Sequence, residues 1–191
     1  MAKDYTPIIL ASSSPRRQEL LRLIVPEFQV VPPKVEEDAV AEPQDLLRLA
    51  KKKAEAVAAR YPEALVIAAD TGVFRDGRAY GKPDDLAEAK RFLAALSGGW
   101  HSVFTGLVVR WGSLFRESLV ETRVLFRPLS EEEILWYLRS EEVLDKAGAY
   151  AIQGRAAVFV ERIEGDFYNV MGLPLCALWR ILWELGWRPK G

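Results

Sequence analysis

The spacing of apolar residues changes several times along the chain, and each change predicts an element. Thr6–Ser12 ("TPIILAS") is a short apolar run that reads as a buried first strand, and Phe28–Val31 as a second, ended by Pro32 and Pro33. From about Pro43 to Tyr61 the apolar positions Leu46, Leu47, Leu49, Ala50, Ala54 and Val57 fall at helical spacing. Lys51, Lys52 and Lys53 lie on the polar side, and Pro62 is the expected stop. Ala64–Asp70 ("ALVIAAD") is the clearest buried strand, apolar until an aspartate at its carboxyl end. A hairpin turning at Asp76-Gly77 joins Val73–Arg75 to Arg78–Tyr80. A helix over about Asp85–Leu96, closed by Gly98-Gly99, precedes two long strands, Val103–Trp111 and Leu114–Phe126, joined at Gly112-Ser113. A helix opens at Ser130, a last strand covers Ala157–Ile163, and a glycine-punctuated loop leads to a helix from near Pro174 to Gly186. Alternating strands and helices with some hairpins predict an α/β fold built on a mixed, twisted sheet with flanking helices.

Two of these helices start differently. At Ser130 the next three residues are glutamates; Ser130 and Glu133 form a capping box, and the acidic first turn suits the helix dipole. In "SSSPRRQELL" Ser14 takes the N-cap and Pro15 the first helical position, but Arg16 and Arg17 follow, where cations oppose the dipole by a few tenths to about 1 kcal/mol each. An anion reverses that penalty, because backbone N–H groups, serine hydroxyls and two guanidiniums would converge on a phosphate. Simple solvation, or pairing with a neighbour such as Glu19, is the other reading. No GxxxxGK[ST] loop is present.

Composition narrows the chemistry. The 191 residues are 50 % hydrophobic with a formal net charge of −1, enough for one large domain or two small lobes around a shared cleft. A near-neutral chain has no general pull toward nucleic acid or an anionic membrane, so neither is an expected partner. Cys176 is the single cysteine and His101 the single histidine, which excludes an internal disulfide and a Cys/His zinc set. His101, between Trp100 and Ser102, reads as packed or surface rather than catalytic. No eighteen-residue apolar run and no apolar leader are seen in "MAKDYTPIIL", so the expected location is cytoplasmic.

Other charged points carry two readings each. Asp70 could be a metal ligand, a general base or a cap for the following turn. Glu36, Glu37 and Asp38 form an acidic loop that is solvated or functional, and Lys53 and Lys82 are ordinary surface lysines unless drawn to a site. In "DKAGAYAIQGRA" (Asp145–Ala156), small residues around Tyr150 and Gln153 suit a flat ligand or tight packing, and Gln153 offers both donor and acceptor to a base edge. Trp179, Trp183 and Trp187 recur on the last helix as a core stripe or a dimer face.

Taken together, "LASSSPRRQELL", "VEED", "LAKKKAEAV", "AADTGV", "GKPDD", "AGAYAIQG" and "IEGDFYNVMGLPL" resemble, in order and over essentially the whole chain, the Maf family of nucleotide pyrophosphatases. The resemblance implies one domain over residues 1–191 with a fold related to the inosine triphosphate pyrophosphatases, two lobes flanking a central cleft. It implies hydrolysis of a nucleoside triphosphate to monophosphate and pyrophosphate with a divalent cation, Mg²⁺ or Mn²⁺. Arg16, Thr71 and Gln153 look like the branch acting on dTTP and UTP. By the same resemblance Ser12, Arg16 and Arg17 hold the polyphosphate, Lys53 and Lys82 neutralise charge, and Glu37, or the adjacent Glu36 in its place, binds the metal with Asp70. Asp70 is also the proposed base, Thr71 and Gln153 read the pyrimidine, and the enzyme is expected to be a homodimer. Where the family usually has "ADTVV" this chain has "ADTGVF", and Gly72 is expected to loosen a turn there. A house-cleaning pyrophosphatase for modified nucleotides and a nucleotide-binding regulator of septum formation remain the alternatives.

Overall fold

The computed structural model describes residues 6–189; the first five residues of the stretch read as lacking a leader lie outside it. In chain order the elements are β1 (Ile8–Leu10), α1 (Pro15–Arg22), β2 (Gln29–Val30), α2 (Pro43–Ala58), β3 (Leu65–Arg75), β4 (Arg78–Tyr80), α3 (Leu86–Leu96), β5 (Trp100–Trp111), β6 (Leu114–Phe126), α4 (Glu131–Ser140), β7 (Val160–Glu164), α5 (Phe167–Met171) and α6 (Leu175–Glu184). The sheet runs β2-β1-β3-β5-β6-β7, with β4 added to β3. β1 is parallel to both β2 and β3, and the remaining pairings are antiparallel. The expected mixed α/β sheet is thus present, and no helix among the described residues is long and apolar enough to cross a membrane.

Strands β3, β5 and β6 are long enough to serve two cores. At one end both sheet faces are covered, so apolar residues run continuously and alternate between layers. Ile8, Leu10, Leu65 and Ile67 pack on Leu20, Leu21, Leu178 and Leu182 of α1 and α6. Ile9, Val66 and Ala68 pack on Ala50, Ala54 and Val57 of α2. At the other end Val73, Val103, Val124 and Phe126 pack with Phe92, Leu93, Ile134 and Tyr137 of α3 and α4. These are the two lobes, and the cleft lies where one core gives way to the other.

Helix α2 approaches the sheet unusually closely. A Cβ built on Gly106 of β5 would lie 2.6 Å from the Leu46 carbonyl carbon and oxygen, so only glycine lets the helix backbone rest there.

Several sequence expectations are corrected. Helix α2 ends at Ala58, one turn before the expected Tyr61, and its last carbonyls are taken by Ala59, Arg60 and Tyr61 N–H groups ahead of Pro62. The expected strands ending at Asp70 and starting at Val73 are one strand, β3: β5 pairs across the join, Asp70 facing Gly106 and Phe74 facing Ser102, and Arg75 pairs with Arg78 of β4. Gly72 therefore sits in a strand opposite Phe104, not in a turn. The space beside it is filled by Phe74 and Leu46, whose nearest side-chain atoms lie 3.0 and 3.2 Å from a Cβ placed there. Ala157 and Val158 belong to a 3-10 turn over Arg155–Val158, so the last strand starts at Val160. The glycine-punctuated loop contains α5, capped by Asp166 accepting from the Tyr168 and Asn169 N–H groups. The tryptophan stripe is divided: α6 buries Leu175, Leu178, Ile181 and Leu182, Trp187 packs partly buried against that core, Trp183 is 44 % exposed, and half-buried Trp179 stacks against both.

Candidate active site

The cleft occupies about 510 Å³ and is lined by the loop entering α1, the Glu37 loop, α2, the middle of β3, the Lys82 loop and the Tyr150–Gln153 segment. It exists because one sheet edge is open. β1 pairs with β3 only as far as Leu10 opposite Ile67, and β4 joins at Tyr80 opposite Val73. Between those points β3 has no neighbour on that side. Consecutive side chains of a strand point to opposite faces, so Asp70 faces α2 and Thr71 faces α1; across the open edge both reach the same cleft.

On the α2 side, Lys53 shares the buried stripe of Leu46, Leu49, Ala50, Ala54 and Val57 and is only 7 % exposed. Its ammonium pairs with Asp70 Oδ2 and lies 2.8 Å from Glu37 Oε1. Asp70 Oδ1 accepts from the Thr71 N–H at 3.0 Å, so both carboxylate oxygens are oriented. The Lys53 hydrogen bond holds the Glu37 carboxyl below the usual carboxylate range; burial opposes this, and the charges of Lys53, Lys82 and Arg17 add to it. Glu36 is turned away and gives its carbonyl to Lys52, which also pairs with Asp38. Lys82 lines the cleft without a hydrogen bond or ion pair among the described residues.

On the α1 side, Ser14 caps the helix by accepting from the Arg17 N–H at 3.4 Å. Ser12, 5 % exposed, accepts from the Ser14 N–H at 3.1 Å. Arg17 Nε donates to the Gly172 carbonyl at 2.7 Å, Nη2 to Thr71 Oγ1 at 3.0 Å and Nη1 to Ser12 Oγ at 3.5 Å. It forms no ion pair among the described residues, and desolvation lowers its pKa, with Asp70 acting the other way. Arg16 reaches Asp145 at 3.5 Å, not Glu19.

The far wall is pinned at several points. Gly148 N–H donates to Gly81 O at 3.1 Å, tying this segment to the Lys82 loop. Gly148 and Ala149 both have left-handed backbone, φ +70° and +62°, a strained arrangement for alanine. The Ala151 N–H donates to Tyr137 Oη at 3.2 Å, and Tyr150 Oη lies 2.7 Å from His101 Nε2. Gln153, at the rim, keeps an exposed amide without a partner among the described residues. His101 is buried, and desolvation pushes its pKa down to about 3, so it is a neutral packing residue.

Every sequence-singled position — Ser12, Arg16, Arg17, Glu37, Lys53, Asp70, Thr71, Lys82 and Gln153 — lines this cleft. The Thr71 hydroxyl is engaged within the protein by Arg17, Thr105 and Gly172. Sequence reasoning missed Asp145, Thr105 and Gly172; a lone threonine amid "SVFTGLVV" was the available signal for Thr105.

A mixed α/β protein with an open sheet edge, an unpaired guanidinium and a lysine bridging two carboxylates is built to take a polyanion between its lobes. The chain belongs to the Maf family: the family model described as Maf-like protein matches residues 7–185. Among curated relatives, a dTTP/UTP pyrophosphatase of Symbiobacterium thermophilum is 51 % identical over 183 residues, covering 94 % of each chain. That of Thermotoga maritima is 48 % identical, covering 94 % of this chain and 90 % of its own. That of Thermus thermophilus is 45 % identical over 191 residues, covering 99 % and 100 %.

Proposed function

We propose that this protein hydrolyses dTTP and UTP between the α- and β-phosphates, releasing the nucleoside monophosphate and pyrophosphate. The observation that carries this reading is the Lys53 ammonium held between Glu37 and Asp70, in one cleft with the unpaired Arg17 of a relative of dTTP/UTP pyrophosphatases.

Arg17 and Arg16, at the α1 amino terminus, bind the polyphosphate, with Ser12 orienting Arg17. Lys53 has three N–H donors and uses two on carboxylates, which leaves one for a phosphate oxygen; Lys82 supplies a second ammonium as negative charge builds. Asp70, fixed through both oxygens, orients and deprotonates the attacking water. Gln153 offers its free amide to the pyrimidine.

A divalent cation fits this donor set. Glu37 and Asp70 are hard oxygen ligands already converging on one positive charge, the Lys53 ammonium. Mg²⁺ or Mn²⁺ is commonly held by one or two carboxylates together with substrate oxygens, a demand that Glu37 and Asp70 would meet. Bound there, it would supply Lewis-acid stabilisation of phosphoryl charge. The same reading takes residues 1–191 as one catalytic domain acting as a cytoplasmic homodimer, which analytical ultracentrifugation tests for the dimer.

The test is purified protein with Mg²⁺ or Mn²⁺ against canonical and modified triphosphates, with pyrophosphate and orthophosphate measured separately. Pyrophosphate chiefly from dTTP and UTP is expected, falling about a thousandfold in Asp70→Asn with the fold intact by circular dichroism. Orthophosphate as first product, or unchanged turnover in Asp70→Asn, overturns the mechanism.

A further inference from the structure

Thr105 is fully buried in β5 and faces Thr71 across the β3–β5 ladder. Its Oγ1 lies 2.9 Å from Thr71 Oγ1 and 3.3 Å from the Asn169 carbonyl. Donor counting gives this cluster a direction. Arg17 can only donate, so Thr71, accepting from it, must send its own proton elsewhere. Thr105 at 2.9 Å is the better acceptor than the Gly172 carbonyl at 3.4 Å. Thr105 then donates to Asn169 O, which also accepts from the Gly172 N–H at 3.0 Å, and Gly172 returns its carbonyl to Arg17 Nε at 2.7 Å. The circuit Arg17–Thr71–Thr105–Asn169–Gly172–Arg17 closes. Asn169 is itself fully buried and anchored through Nδ2 to the Val103 and Val120 carbonyls and Thr122 Oγ1, each at 3.1 Å.

We propose that Thr105 is a positioning residue for the polyphosphate: through Thr71 it holds the Arg17 guanidinium toward the cleft, which makes the Thr71 hydroxyl part of the phosphate grip. This rests on the cleft being a triphosphate site. The physical need for such a device is specific. Asp70 attracts Arg17 electrostatically, yet the guanidinium makes no ion pair among the described residues. A guanidinium released from the circuit would be free to turn toward Asp70 and Glu37 and be quenched, whereas one pinned at Nε and Nη2 stays available to an anion.

Thr105→Val, Thr105→Ser and the parent are compared for turnover of dTTP and UTP, and for calorimetric binding of tripolyphosphate, a probe with no base. In Thr105→Val the KM for both nucleotides rises about tenfold together, kcat stays within about twofold, and tripolyphosphate affinity falls by the same factor as KM rises. Base preference is unchanged, and Thr105→Ser restores the parent values. Parent-like KM and tripolyphosphate binding in Thr105→Val overturn the proposal, as does a changed base preference. If the valine variant does not fold, Thr105→Ala against Thr105→Ser gives the same comparison. A parent that neither binds tripolyphosphate nor hydrolyses nucleotides instead overturns the triphosphate reading itself.

Discussion

Helices α1 and α4 both begin with a serine cap, and there the likeness stops. At α4 the start is complete without help: Ser130 and Glu133 exchange both capping bonds, and Arg127 donates to Glu133 at 2.7 Å. The Arg127 hydrogen bond, with the Ser130 backbone, draws the Glu133 carboxyl down to about 2. At α1 no acid occupies the first turn, and Arg17 sits where α4 has Glu133, with its side chain held by hydroxyls and a carbonyl and matched to no carboxylate. One helix start serves the fold. The other is left electrostatically open, and on the proposed reading the substrate brings the missing charge.

That contrast can be broken by experiment. The largest effect belongs to the open start: Arg17→Gln raises KM for dTTP about a hundredfold with little change in melting temperature. Loss of folding with unchanged KM would make Arg17 a structural residue and erase the difference. The closed lobe should respond in stability instead. His101, buried and depressed to about 3, is neutral when folded, so the unfolded chain, with an ordinary imidazole pKa near 6.5, takes up the proton first. Its contribution is fully present above the unfolded value and is lost as pH falls from 6.5 toward 3. Between pH 8 and pH 5 the parent should lose about 2 kcal/mol that His101→Gln keeps, read by denaturant unfolding; parallel pH curves would sink the assignment. The smallest effect is at the α4 cap: Ser130→Ala costs about 1 kcal/mol of stability and leaves dTTP turnover unchanged. A fall in turnover there would tie the closed start to the cleft.

The sequence made the strands, helix starts and cleft residues legible where the signal was local. Continuous apolar runs gave β1 and β3, and the Ser130 capping box gave α4, because both depend on neighbours within a few residues. Helical phase also holds a clue that composition hides: Lys53 lies three residues after Ala50 and four after Leu49, on the buried stripe, whereas Lys52 reaches the exposed Asp38 and Lys51 lies over the Phe115 ring. What stayed illegible came from distant partners. Asp70 read as a strand end because nothing nearby announces that β5 carries β3 four residues further, into the segment read as a separate hairpin strand. Helix α5 was hidden because five residues give no period, and its stability comes from the Asp166 cap and Asn169. The partners of Thr71 come from residues 17, 105 and 172, a meeting that only the fold brings about.

The bare contact between α2 and Gly106 has a consequence for how this catalyst can change over time. Gly106 is the ladder partner of Asp70, and Leu46, which touches it, lies two turns before Lys53 on the same buried stripe. The spacing between the α2 and β3–β5 backbones that carry Lys53 and Asp70 is therefore set main chain against main chain at Gly106. The apolar residues around it can drift through many combinations, as cores tolerate when volume is kept, and the pair keeps its spacing. A single methyl group at position 106 would meet the Leu46 main chain and push the helix off the strand that carries Asp70.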